Sequence, residues 1–90
     1  MVKEKLKPAG KSEEVTSGEK ELILFNDDIN TFDFVIETLI EVCGHDACQA
    51  EQCALIAHSN GKCGIKTGPF DSLKPLCDEM LNRDLTVIIS

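Results

Sequence analysis

Apolar and polar positions alternate along this chain in two different rhythms, and the rhythm changes several times. Leu22-Ile23-Leu24-Phe25 is a short apolar run that stops at Asn26-Asp27-Asp28, and its length and flanks predict a buried strand. From about Thr31 to Cys43 the period becomes helical. Phe32, Val35, Ile36, Leu39 and Cys43 fall on one stripe, while Asp33, Glu37 and Glu41 face outward. Asn30 or Thr31 can cap that helix, and Gly44 can end it by taking a left-handed conformation at little cost. A second helix opens at Asp46, whose spacing to Gln49 resembles a capping box. It carries a stripe of small side chains, Ala50, Cys53, Ala54 and Ala57, and ends at Asn60-Gly61.

Lys62 to Ile65 reads as a short strand, Thr67-Gly68-Pro69 as a turn, and Leu73, Leu76, Cys77, Met80 and Leu81 as the stripe of a third helix. Pro75 is tolerated only near a helix start, so the regular helix is expected from about Ser72. After a turn at Asn82-Arg83-Asp84, the β-branched run Leu85 to Ile89 predicts a final strand. The order βααβαβ predicts a small single α+β domain, with a three-stranded antiparallel sheet packed by three helices over residues 21–90. Residues 1–20 are rich in Lys, Glu, Ser, Gly and Pro and hold too little apolar surface to offset chain entropy. They are expected to form a flexible N-terminal tail.

Composition narrows the function. Ninety residues support one thin core, which leaves little room for a deep catalytic cavity. The chain has no Trp or Tyr and only 4 Phe, so aromatic platforms for stacking bases are scarce. A net charge of −7 repels a phosphate backbone and an anionic membrane alike, and favours cationic ligand groups. Neither a nucleic acid nor a membrane is therefore an expected partner. The 5 Cys include no CxxC pair, and Met1 to Lys20 has no apolar core of a signal peptide. Reduced thiols in a cytoplasmic protein are the expectation.

Three polar groups could act together: Asn26 and Asp27 after the first strand, and His58 in the last turn of the second helix, with Asp28 and Asn30 nearby. Phe32, Val35, Ala54, Ala57 and Val87 supply apolar walls. This set suits a protonated amine followed by a bulky apolar side chain. An ammonium has three donors and no acceptor, and desolvating it is costly unless each donor finds a partner. A carboxylate supplies the opposite charge; an amide oxygen and a neutral imidazole nitrogen each accept one bond more. Each piece has a plainer reading. Asn26-Asp27-Asp28 also fits a capped turn, His58 a partner for the helix dipole, and the alanine stripe close helix packing. Spacing alone does not bring residues 27 and 58 together.

The run Leu22 to Asp28, followed by Phe34-Val35-Ile36-Glu37 and Leu39, resembles the opening of the ClpS family. Gln49-Ala50-Glu51-Gln52 and then His58-Ser59-Asn60-Gly61-Lys62 are similar to that family's second signature, with Ala50 and His58 at the matching spacing. The resemblance spans residues 21–90. It implies an adaptor that is not an enzyme and has no catalytic residue, cofactor or metal. Such an adaptor binds N-degron substrates starting with Leu, Phe, Tyr or Trp and delivers them to a Clp-family AAA+ unfoldase with its peptidase. By position, Asn26, Asp27 and His58 would hold the α-amino group, and Phe32, Val35, Ala54, Ala57 and Val87 would line the side-chain pocket. The tail would engage the unfoldase, and the molecule is expected to be a monomer. Two positions depart from the family's habit: Phe32 and Ala54 stand where Met is common, which reshapes the pocket.

Two other readings compete. A small assembly or ribosome-associated α+β module would use the same fold without an amine site. A Cys–His enzyme or metal site would use Cys53, His58 and Cys63, but spacings of five do not align ligands on one helix face, and zinc motifs favour closer pairs.

Overall fold

The computed structural model describes residues 18–90. Within them the chain forms β1 (Glu19–Phe25), α1 (Phe32–Cys43), α2 (Ala47–Asn60), β2 (Lys62–Pro69), α3 (Phe70–Asn82) and β3 (Thr86–Ile89). This is the α+β order expected. The sheet runs β2-β1-β3, and both pairings are antiparallel. Residues 1–17, most of the expected tail, lie outside the described residues; Glu19 and Lys20, assigned to it from composition, belong to β1.

Local chemistry fixes the helix ends. The Thr31 hydroxyl accepts the Phe34 N–H at 3.1 Å, and the Asp46 carboxylate accepts the Gln49 N–H at 2.7 Å. Each satisfies one of the donors that a helix start leaves without an internal partner. Gly44 and Gly61 close α1 and α2 at φ 75° and 93°, a region that costs glycine nothing.

β2 and α3 differ from expectation at their boundaries. β2 continues through Thr67-Gly68-Pro69, because Glu19, Lys20 and Glu21 pair with those residues and extend the ladder. Pro69 sits at the strand end, where its missing N–H does least harm. α3 starts at Phe70 instead of Ser72, which moves Pro75 out of the first turn and into the second. Pro75 and Asp71, whose carbonyl would have accepted the missing bond, are both exposed, so water can serve that carbonyl.

The helices cover one face of the sheet. Leu22, Leu24 and Val87 point into that face and are buried, whereas Ile88 on the opposite face is 46% exposed. Leu39 and Cys43 from α1, Ala50 and Ala57 from α2, and Leu73, Cys77 and Met80 from α3 complete the core. A bulge interrupts the β1–β2 ladder: Leu22 pairs with Lys66 but Ile23 pairs with Gly64, so Ile65 is the extra residue and turns inward to the core. None of the described helices is long and apolar enough to cross a membrane.

Candidate functional site

The loop leaving β1 is tied to the end of α2 by the chain itself. Asn26 donates its main-chain N–H to the carbonyl of Gly61 at 2.9 Å. Gly61 is the C-cap of α2, three residues beyond His58. That bond brings the two halves of the candidate site to one place, which spacing alone leaves undecided. The result is a cavity of about 470 Å³ between the β1–α1 loop, the start of α1 and the second half of α2. A volume of that order suits a small ligand or one large side chain.

Asn26, Asp27, Asp28, Asn30, Phe32, Val35, Ala54, Ala57 and His58 all line this cavity. Val87 does not. It pairs with Leu24 across the β1–β3 ladder and is buried in the core, so its inward direction leads to the packed interior instead. Three lining residues, Leu24, Phe25 and Leu55, escaped the sequence reading. Leu24 and Phe25 read as strand and nothing more. Leu55 lies beside the small-residue stripe of α2 and is 53% exposed; a large apolar side chain left in water next to Ala54 is the signal that could have found it.

Asp27 is held in a tight turn. Its Oδ1 accepts the main-chain N–H groups of Ile29 at 2.9 Å and Asn30 at 2.8 Å. Its Oδ2 accepts the Asn30 side-chain amide at 3.0 Å. A carboxylate offers roughly four lone-pair positions, so Oδ2 keeps one open. Burial pushes the Asp27 carboxyl up, but the bonds from Asn30 and Ile29 together outweigh it and hold the group below its usual range. Asp27 is therefore charged at neutral pH. Among the described residues, no hydrogen bond engages the side chains of Asn26 or His58, and both residues are exposed. Each has a free acceptor to offer.

The apolar walls grade from wet to dry. Phe32, the first residue of α1, is 40% exposed and stands at the mouth with Leu55. Val35 is half-buried, and Ala54 and Ala57 are buried. Two methyl groups on adjacent turns of α2 leave the hollow that larger side chains would fill. The arrangement is a charged and hydrogen-bonding rim over an apolar recess.

Among the described residues, no three or more His, Cys, Asp or Glu side chains converge as metal ligands would. Burial, and next to it the neighbouring Cys53 sulfur, push the Cys63 thiol up to about 11. A thiol held protonated at neutral pH is a poor nucleophile.

The sequence profile of the family described as "ATP-dependent Clp protease adaptor protein ClpS" matches residues 17–87. The chain belongs to the ClpS family. Among its relatives are the ATP-dependent Clp protease adapter proteins ClpS of Campylobacter jejuni strains 81-176 and RM1221, each 46% identical over 48 residues. Those matches take in 51% of this chain and 50% of each relative, so the chain spans about half the length of the curated relatives it matches. A solved structure of Agrobacterium tumefaciens ClpS2 bound to L-phenylalaninamide superposes with a TM-score of 0.70, at 19% identity, over 81% of this chain and 95% of that one. The ClpS fold is thus shared at an identity where few side chains are. ClpS proteins are adaptors to a protease and not proteases themselves.

Proposed function

We propose that this ClpS-family chain binds the free amino terminus of polypeptides that begin with a bulky apolar residue, and presents them to a cytoplasmic Clp-family AAA+ unfoldase and its peptidase. The observation that carries the reading is the meeting of Asn26, Asp27 and His58 at the rim of one cavity with an apolar floor. An α-ammonium at that rim would donate to the open position of Asp27 Oδ2, to the Asn26 amide oxygen and to a neutral His58 nitrogen. The charge would thereby be neutralised and its three donors satisfied. The first side chain would enter between Phe32, Val35, Ala54 and Leu55, where full burial contributes about 1.5–3 kcal/mol. The ligand named for the Agrobacterium relative, a phenylalanine amide, combines a free amine with an apolar ring. That combination is the one this rim and recess would accept.

Binding of a fluorescent Phe-initiated peptide, followed by anisotropy, tests the proposal against the same peptide N-acetylated. Acetylation removes the charge and its hydrogen bonds, so affinity should fall by about a hundredfold or more. Equal affinity for both peptides would remove the amine site and favour a plain assembly module.

A further inference from the structure

The two oxygens of Asp27 are held in different ways. Oδ1 is tied to main-chain N–H groups of its own turn, at Ile29 and Asn30. Those bonds depend on the backbone and survive most substitutions. Oδ2, the oxygen with an open position, has one partner among the described residues, the side-chain nitrogen of Asn30 at 3.0 Å.

That nitrogen has a second bond. Asn30 Nδ2 also donates to the main-chain oxygen of Asp84 at 2.9 Å, 54 positions along the chain. Both partners are acceptors, so the orientation of the amide is fixed by its surroundings: the nitrogen must face them. The Asp84 carbonyl is a firm post. Its own N–H bonds to Leu81 at 3.0 Å, the next N–H, of Leu85, bonds to Met80 at 3.0 Å, and the Leu85 side chain is buried. Asp84 also takes φ 68°, a left-handed value that aspartate tolerates better than most residues with a side chain.

We infer that Asn30 is a positioning residue, which fixes the plane of the Asp27 carboxylate by bridging Oδ2 to the α3–β3 turn at Asp84. Without the bridge the carboxylate stays anchored at Oδ1, but Oδ2 loses its side-chain partner and is free to turn. The amine would then lose an aligned acceptor, although Asp27 itself is present. The amine as ligand rests on the function proposed above; the bridge does not.

Asn30→Ala and Asn30→Ser test the bridge with two readouts. The first is the titration of the Asp27 carboxyl, followed by NMR without peptide. Asp28 and His58 in the cavity wall and Asp84 at the turn are the other ionisable groups nearby. The second readout is the affinity for the Phe-initiated peptide and its N-acetylated copy. In Asn30→Ala the Asp27 midpoint should rise, because a donor to the charged form is gone. Affinity for the free-amine peptide should fall about tenfold while that for the acetylated copy stays unchanged. The Asn30→Ser hydroxyl can still donate, so it should recover part of both effects; it also keeps the comparison open if the alanine variant unfolds. An unmoved Asp27 midpoint, or unmoved discrimination between the two peptides, would overturn the inference. Should the unsubstituted protein fail to discriminate, the amine reading falls, and the Asp27 titration alone decides whether Asn30 holds the carboxylate.

Discussion

At Ala54 a methyl group faces a cavity whose apolar walls, Ala57 apart, are rings and branched chains. Methionine there would add three heavy atoms to the recess at a position that is already buried, next to Ala57 of the core. Overpacking of this kind costs about 1–3 kcal/mol. Ala54→Met should therefore weaken binding of Phe- and Trp-initiated peptides by roughly tenfold or more, and Leu-initiated peptides less. Competition across Leu, Phe, Tyr and Trp peptides measures the ranking; an unchanged order would place Ala54 outside the pocket. At this scale the sequence nominates Asn26, Asp27 and His58 by residue type and by the resemblance of their motifs to the ClpS family, and all three line one cavity. The company they keep was not legible. Nothing in the spacing announces that Asn30 reaches Asp84, that Leu55 completes the mouth, or that Val87 points into packed core. Each of these is settled by which elements happen to touch.

The six elements follow from local signals: an alternation or run for each strand, a stripe for each helix, and Thr31, Gly44, Asp46 and Gly61 at the ends of α1 and α2. Element ends were misread where a distant partner decides them. β2 is long because β1 begins at Glu19, and the bulge at Ile65 has no signature that a single strand carries. α3 ignores the rule that would keep Pro75 in a first turn, and the exception has a measurable cost. Proline inside a helix is less favourable than alanine by about 3 kcal/mol, offset by about 0.4–1 kcal/mol from a stiffer unfolded chain. Pro75 is exposed, so its replacement disturbs little packing. Pro75→Ala should raise the unfolding free energy by about 1–3 kcal/mol, read from urea denaturation. A variant of equal or lower stability would show that the ring is already accommodated at no cost.

For the molecule as a whole, the net charge of −7 sets a field that reaches well beyond the cavity. Exposed charges are screened over about 10 Å at 0.1 M salt. Association of a Phe-initiated peptide carrying lysines at its next positions should therefore slow by about tenfold as salt rises from about 0.01 to about 1 M. Stopped-flow rates measure this, and a glutamate-bearing counterpart should show the opposite trend; salt-independent rates for both would mean that the field does not steer ligands. The same global view gives the central strand a further meaning. β1 enters the domain at Glu19 and ends at Phe25, beside the cavity. Seven residues of strand span roughly 20 Å. The length of β1 thus separates Glu19 from the cavity beside Phe25. A pull applied at Glu19 would load the sheet along its middle strand, braced by a neighbour on either side.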